Sequence, residues 1–357
     1  MKYKLEIRSI WEYGQRKDEA GNPHQEDSLF PRHSEFKESD RVFILCDGMG
    51  GHAAGEVASA TVCKAMSQKL LPLAAQEPFR FCDDDMRAAV TAAYDALDAL
   101  DSGTSGKGKM GTTMTALVLH DGGATIAHMG DSRVYHIRPG KGREETQILF
   151  QTRDHSLVND LVAVGEITAE EAKTHPQRNV ITRALQPHME QRSRADIAKT
   201  IVDIRPGDYF YLCSDGMLEI MDDNALRFNF SDTTGDIDSK VKLLTTATSQ
   251  NRDNHTAILV HVLEVEDAIA SPAVSATATE TTAIERKKSY TRTKLFLLLL
   301  VLAVLLMVGG VAYAILNKDR GKAGTEDFGT TIHELIYNNI NTSDLCNSDS
   351  LTTKSEI

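Results

Sequence analysis

Residues 42–59 read Val-Phe-Ile-Leu-Cys-Asp-Gly-Met-Gly-Gly-His-Ala-Ala-Gly-Glu-Val-Ala-Ser, and this stretch decides the fold of the chain. The five apolar residues from Val42 to Cys46 predict a strand buried on both faces. Asp47 ends the run and glycines follow, so a carboxylate leaves the sheet where the backbone can approach a ligand closely. Beyond His52 a helix is predicted, with one apolar face made of Ala58, Val62, Met66 and Leu70. The turn alone does not establish a site, because Asp-Gly is also a common turn dipeptide.

A second stretch repeats this design. Residues 208–217, Asp-Tyr-Phe-Tyr-Leu-Cys-Ser-Asp-Gly-Met, again carry an apolar run into an acidic residue and a glycine. Acidic residues flank predicted strands or turns at three more places, namely Glu26 and Asp27, Asp131, and Asp253. Each alone is typical of a solvated loop. Together they predict a shared site for a hard divalent cation, which prefers several rigidly held oxygen ligands.

The order and spacing of these motifs resemble the metal-dependent Ser/Thr protein phosphatases of type 2C, in their bacterial form. The resemblance covers residues 1–264 and rests on the stretches 25–28, 47–52, 110–113, 130–135, 154–156, 175–185, 213–216 and 252–256. It implies an α+β fold, an α-β-β-α sandwich of two antiparallel sheets flanked by helices. It also implies hydrolysis of phosphoserine and phosphothreonine in proteins.

The resemblance further implies roles for single residues. It assigns two or three Mn²⁺ or Mg²⁺ ions to Glu26, Asp27, Asp47, the Gly48 carbonyl, Asp131, Asp215 and Asp253. By this resemblance, Asn254 orients the metal ligands without binding metal itself. A water held between two cations attacks phosphorus in line. His52 protonates the leaving oxygen.

One position departs from the family pattern. The family usually has an Arg five residues before the first-motif Asp, where it binds the substrate phosphate, and this chain has Asn22 there. Arg16 and Lys17 lie in the same predicted loop, and either can take over that role. The phosphate-binding residue therefore stays open at the level of sequence.

Three further segments carry predictions for the catalytic domain. Helical spacing predicts a helix over 83–101 with Met86, Val90, Ala93, Leu97 and Leu100 on its apolar face, followed by a Gly/Ser/Lys connector. Residues 112–137 predict two strands joined by Asp121-Gly122-Gly123. In the family, residues 151–190 form a flap beside the active site. Its histidines, His155, His175 and His188, are candidates for catalysis, although local hydrogen bonding is the favoured interpretation.

The composition changes after Val265. We expect a catalytic domain over 1–265, a flexible linker with a basic cluster over 266–294, a transmembrane helix over 295–316, and a polar tail over 317–357. Residues 295–316 are uncharged and apolar, and more basic residues precede this run than follow it. That bias, and an N-terminus without a secretory signal, predict a single-pass membrane protein with a cytoplasmic catalytic domain and a tail outside.

Charge and cysteine spacing exclude other classes of function. The net charge of −12 argues against a nucleic-acid partner. No Cys is followed six positions later by Arg, so the chain lacks the motif of thiolate-type phosphatases. We expect phosphoprotein substrates, with a membrane Ser/Thr kinase as a candidate partner. Two alternatives remain open, a membrane-tethered pseudophosphatase that only binds or regulates phosphoproteins, and a small-molecule phosphohydrolase.

Overall fold

The computed structural model describes residues 1–50, 53–100 and 110–266. The strands are β1 (Lys2–Glu12), β2 (Asp27–Phe30), β3 (Val42–Met49), β4 (Gly111–Thr112), β5 (Met114–His120), β6 (Gly123–Met129), β7 (Arg133–Arg138), β8 (Gln147–Gln151), β9 (Asp196–Ile197), β10 (Tyr209–Cys213) and β11 (His255–Glu266). The helices are α1 (Ala53–Ala74), α2 (Asp83–Leu100), α3 (Leu157–Ala163), α4 (Ala169–Thr174), α5 (Asp215–Leu218), α6 (Asp223–Asn229) and α7 (Ile237–Thr248), with a short 3₁₀ helix at Asp232–Thr234.

The strands form two antiparallel sheets. One sheet has the order β1-β11-β10-β7-β8, and the other has the order β2-β3-β5-β6-β9, with β4 paired to β3. The sheets face each other across an apolar layer in which Phe43 of β3 packs with Phe210 of β10 and Ile258 of β11. This arrangement confirms the predicted pair of antiparallel sheets.

Helices cover the outer face of each sheet, which completes four layers. The outward side chains of β3, including Ile44, pack against α1 and α2. On the other sheet Tyr211 of β10 packs against Phe230, the residue after α6, in a cluster that also contains residues of α5, α6 and α7. Strand β3 is therefore buried on both faces because alternate residues point into two different cores. This is the physical reason for its unbroken apolar run.

The structure confirms most of the predicted elements and corrects two. The predicted apolar face of the first helix, Ala58, Val62, Met66 and Leu70, is fully buried on α1. On α2, however, Leu100 at the last position of the helix is 47 % exposed, because it lies beyond Leu97, the last buried residue of the helix. Residues 112–137 contain three main strands rather than two. The hairpin β5–β6 turns at Asp121 and Gly122, and β7 then crosses to the other sheet.

Several predictions concern residues that the structure does not describe. The connector 102–109, Gly51 and His52 lie outside the described residues, and so do the linker from 267, the predicted transmembrane segment 295–316 and the tail. Among the helices in the described part of the chain, none has the length and apolar character needed to cross a bilayer.

Candidate metal centre

Two carboxylates face each other where β2 begins and β3 nears its end. Asp27 and Asp47 are direct partners in the antiparallel register. Asp27 also contacts the opposite sheet, because its Oδ2 accepts a hydrogen bond of 2.9 Å from Ser214 Oγ. Ser214 is followed at once by Asp215, the first residue of α5. The second Asp-Gly-Met motif therefore reaches the same end of the sandwich as the first one.

Backbone contacts hold the turn after Asp47. The Asp47 N–H donates to Thr113 Oγ1 at 3.0 Å, and its carbonyl accepts from Thr112 Oγ1 and from the Thr113 N–H at 2.8 Å. Thr113 Oγ1 also lies 2.8 Å from Ser132 Oγ, next to Asp131. The two threonines thus tie the Asp47 turn to the Asp131 turn. Sequence reasoning quoted them as part of a motif but gave them no role.

Gly48 is required by a close backbone approach. Its N–H donates to the Glu26 carbonyl at 3.1 Å, and an added Cβ would overlap the Gly55 carbonyl and lie 2.6 Å from the Glu26 carbonyl oxygen. Gly55 is in the first turn of α1, and a Cβ there would lie 2.8 Å from Glu26 Oε1. Two glycines therefore let the start of α1 rest directly on the turn that carries Asp47.

Asn254 joins three segments around the site. Its Oδ1 accepts the Glu26 N–H at 2.8 Å, and its Nδ2 donates to the carbonyls of Tyr13 and His24, each at 2.8 Å. The side chain of Glu26 is 4 % exposed. Asn254 thus holds the backbone that carries Glu26. His24 in turn lies between two carboxylates, 3.8 Å from Glu26 Oε1 and 3.9 Å from Glu56 Oε2, a placement that the sequence did not predict.

The carboxylates are buried close enough to perturb one another. Burial, reinforced by neighbouring carboxylates, raises the pKa of Asp27 to about 8, that of Asp131 to about 8 and that of Asp215 to about 6. The pKa of Asp47 is raised well above its ordinary value for the same reasons, with Asp27, Asp215, Asp131 and Asp253 as its charged neighbours. A cluster of this kind is unfavourable unless protons or cations neutralise it.

The donor set fits a hard divalent cation. Asp27 Oδ1, Asp131 Oδ1 and Asp215 Oδ1 are buried and accept no hydrogen bond from any described residue. Buried polar atoms almost always have a partner, so these oxygens are available as ligands. All the donors are oxygens, which is the preference of Mg²⁺ and Mn²⁺.

Arg16 lies beside two acidic residues of this cluster. Its Nε lies 2.6 Å from Asp253 Oδ1 and its Nη2 lies 2.9 Å from Asp253 Oδ2, while Nη1 lies 3.5 Å from Glu26 Oε2. Lys17 is exposed, and its backbone pairs with Pro23. Asn22 is exposed as well and donates to Asp18. Of the two cations left open by the sequence, Arg16 is the one at the site.

The three histidines of segment 151–190 differ in their contacts. His155 Nδ1 accepts the Gly130 N–H at 3.1 Å, and His155 Nε2 lies 3.1 Å from Asp196 Oδ2. His175 Nδ1 accepts the Gln177 N–H, and the His188 N–H donates to Asp98. The ring of His175 thus makes the favoured local hydrogen bond, whereas the ring of His155 contacts residues distant in sequence and His188 uses its backbone N–H.

His128, His155 and Asp196 also cluster, with ligand-type atoms within 4.8 Å of one another. The two imidazole rings are stacked, with centroids 4.6 Å apart and planes 8° from parallel. Their in-plane lone pairs therefore cannot point at one ion. His128 Nε2 is also 2.8 Å from the Arg153 carbonyl oxygen, so this group is a hydrogen-bonded network.

A cleft opens beside the carboxylates. Its volume is about 750 Å³, and Asp131, Asp215 and Asp253 are among its lining residues. Residues of α3, α4 and the following loop, including Arg178, also line it. Residues of the segment 151–190 thus line the same cleft as these carboxylates.

Comparison with known proteins identifies the same family that the sequence motifs resemble. The model of the protein phosphatase 2C family matches residues 14–264. The Ser/Thr protein phosphatase PstP of Mycobacterium tuberculosis is 39 % identical over 186 residues, which cover 52 % of this chain and 33 % of that protein. The match thus spans about a third of the length of that relative. The protein phosphatase PhpP of Streptococcus pneumoniae is 34 % identical over 235 residues, which cover 64 % of this chain and 87 % of PhpP.

Solved structures agree with the sequence relatives. The crystal structure of PstP superposes with a TM-score of 0.59 and 30 % identity, and the match covers 73 % of this chain and 100 % of that one. The PstP catalytic domain in complex with two manganese ions gives a TM-score of 0.57 and 29 % identity, covering 74 % of this chain and 100 % of that domain. The predicted class, a metal-dependent Ser/Thr protein phosphatase, is the class of these relatives. Because the family model matches most of the length of this chain, the chain belongs to the protein phosphatase 2C family.

Proposed function

We propose that this chain is a membrane-anchored, metal-dependent phosphatase that hydrolyses phosphoserine and phosphothreonine in proteins. The observation that carries the proposal is the cluster of carboxylates from both sheets, in which Asp27, Asp131 and Asp215 have buried oxygens without partners among the described residues. Family membership and the manganese complex of a similar catalytic domain support it.

We assign the cation ligands as follows. Glu26 or Asp27, together with Asp47 and the Gly48 carbonyl, would hold one cation. Asp47, Asp215 and Asp253 would hold a second cation, and Asp131 with Asp215 would hold a third. Divalent cations bound there supply positive charge that activates water and neutralises the phosphoryl group during hydrolysis.

The remaining chemistry falls to residues of the chain itself. Arg16, with about half of its side chain exposed beside Asp253, binds the phosphate monoester in place of the Arg missing at Asn22. Asn254 keeps Glu26 in position through its hydrogen bond to the Glu26 N–H. His52, outside the described residues, donates a proton to the leaving oxygen of serine or threonine.

We further propose that residues 295–316 anchor the protein in a membrane. The support is the uncharged apolar run itself and the basic residues Arg286, Lys287, Lys288, Arg292 and Lys294 that precede it. The proposed orientation leaves the catalytic domain in the cytoplasm, where phosphoproteins at the membrane, such as a Ser/Thr kinase, are within its reach.

Phosphate release from a phosphothreonine peptide tests the function. We expect release by the purified chain with Mn²⁺ and none with EDTA. An aryl phosphate and a panel of small phosphate esters serve as comparisons, since a small-molecule phosphohydrolase would prefer an ester over the peptide. Binding of the phosphopeptide without any release in Mn²⁺ would make the chain a pseudophosphatase and contradict the proposal.

A further inference from the structure

Arg16 reaches the carboxylate cluster because its loop lies directly on the segment that carries Asp253. Gly14 has φ +59°, and an added Cβ would overlap the Asp253 carbonyl. The next residue, Gln15, donates its N–H to the Arg252 carbonyl at 2.9 Å. These contacts fix the backbone of the two residues that precede Arg16. Only a glycine at position 14 permits so close an approach.

The guanidinium of Arg16 occupies both carboxylate oxygens of Asp253. Two N–H···O contacts of 2.6 and 2.9 Å form the bidentate geometry that is strongest between Arg and a carboxylate. Asp253 Oδ1 also accepts the Asn254 N–H at 2.8 Å. Hydrogen bonding to Asp253 is the main cause that raises the pKa of Arg16, and the charges of Glu26 and Asp47 add to it. Arg16 is therefore a permanent cation inside the acidic centre.

We propose that Arg16 competes with the divalent cations for Asp253 and so sets the metal affinity of the centre. The inference rests on the proposed metal site. A cation that binds Asp253 must share this carboxylate with the guanidinium or displace it, and two positive charges at such short range repel each other. Arg16 thus lowers the affinity of Asp253 for a divalent cation, and it lies beside Asp253 as the cation that binds phosphate.

Titration with Mn²⁺ alone, without substrate, measures this effect by calorimetry. In Arg16→Gln we expect the dissociation constant of the Mn²⁺ that binds at Asp253 to fall about tenfold, because the competing charge is gone. Arg16→Lys keeps the charge but not the bidentate contact, so its affinity should lie between those of Arg16→Gln and the wild type. Lys17→Gln is the matched control. It removes the same charge from an exposed neighbouring position, and it should change the affinity less than twofold.

The outcomes separate this inference from the proposed function. If Arg16→Gln binds Mn²⁺ no more tightly than the wild type, then Arg16 only positions Asp253 and the inference is wrong. An equal gain in Lys17→Gln would reduce the effect to general charge and overturn it too. A wild-type chain that binds no Mn²⁺ would overturn both proposals, whereas Mn²⁺-dependent phosphate release with unchanged affinity in Arg16→Gln would overturn this one alone. Circular dichroism of each variant confirms the fold, and Arg16→Lys gives a second reading if Arg16→Gln unfolds.

Discussion

The pairing of Asp27 with Asp47 across β2 and β3 places two carboxylates side by side in a largely buried location. Such a pair costs stability as soon as both are charged. The hydroxyl of Ser214 compensates part of the cost on Asp27. However, Oδ1 of Asp27, of Asp131 and of Asp215 has no hydrogen-bond partner among the described residues. At this scale the site is a concentration of negative charge that only protons or cations can balance.

A pH dependence of stability follows from these pKa values. The pKa is raised to about 8 for Asp27 and Asp131 and to about 6 for Asp215, above the value of about 4 in an unfolded chain. The folded state therefore binds more protons, and the stability that these protons provide is lost as pH rises from about 4 through 8. With EDTA, we expect Tm to fall between pH 5.5 and 8.5, and Mn²⁺ to raise Tm more at pH 8.5 than at pH 5.5.

Asp27→Asn is the control for that measurement. The change removes one titrating group, so the fall of Tm with pH in EDTA should become shallower. A Tm that is independent of pH in the wild type would contradict the raised pKa values of this cluster.

His52 allows a separate test by choice of leaving group. If His52 protonates the leaving oxygen, His52→Ala should slow hydrolysis of phosphothreonine far more than that of an activated aryl phosphate, whose leaving group needs no proton. The measurement is kcat/KM on both substrates in Mn²⁺. Equal losses on the two substrates would show that His52 has another role, such as orientation of the site.

At the level of elements, the contact between β3 and the start of α1 places the helix directly on the strand end that carries Asp47. The sequence predicts both elements, because an unbroken apolar run and an i+4 apolar pattern are local signals. It does not predict that Gly55 rests on Gly48, since that contact depends on how the helix leaves the turn. The role of Arg16 is hidden for a related reason. Its loop returns to Asp253 from more than two hundred residues away, and no local pattern marks that contact.

Gly55→Ala tests the contact between the helix and the turn. The new methyl would lie 2.8 Å from Glu26 Oε1 and 2.9 Å from the Gly48 carbonyl carbon, so α1 or the turn must shift. We expect a loss of about 1–3 kcal/mol in the free energy of unfolding, together with weaker Mn²⁺ binding. Gly142→Ala is the matched control, because a Cβ at Gly142 has no neighbour within 4 Å and should be neutral. Chemical denaturation measures both variants, and equal stabilities would contradict the close contact.

For the whole molecule, the resemblance to a known family anticipated the four-layer fold because its motifs mark strand ends throughout the chain. The sequence misjudged 112–137, where β6 and β7 follow each other closely but belong to different sheets. Alternation of apolar and polar residues cannot reveal such a crossing when both sheets are buried on both faces. The proposed anchor at 295–316 lies outside the described residues and remains a prediction from composition.

The proposed anchor predicts where the enzyme acts. Residues 267–294 would form a tether of about 28 residues, with an r.m.s. length of roughly 30 Å as a random coil. This tether would hold the catalytic domain close to the membrane. We expect the full chain to sediment with membranes and a 1–266 truncation to remain in the supernatant, with equal activity on a soluble phosphopeptide but slower dephosphorylation of membrane phosphoproteins. Equal rates of both forms on membrane substrates would contradict the proposed purpose of the anchor.

The central claim is that carboxylates from two sheets form one catalytic metal centre, and Asp47→Asn tests it most directly. Asp47 is buried and has Asp27, Asp131, Asp215 and Asp253 as charged neighbours. Asp238 is an exposed carboxylate paired with Arg8 and serves as the control. The measurement is the rate of phosphate release from a phosphothreonine peptide as a function of Mn²⁺ concentration. We predict that Asp238→Asn matches the wild type, while Asp47→Asn remains folded and loses about two orders of magnitude or more in kcat. Wild-type turnover by Asp47→Asn at every Mn²⁺ concentration would contradict the account.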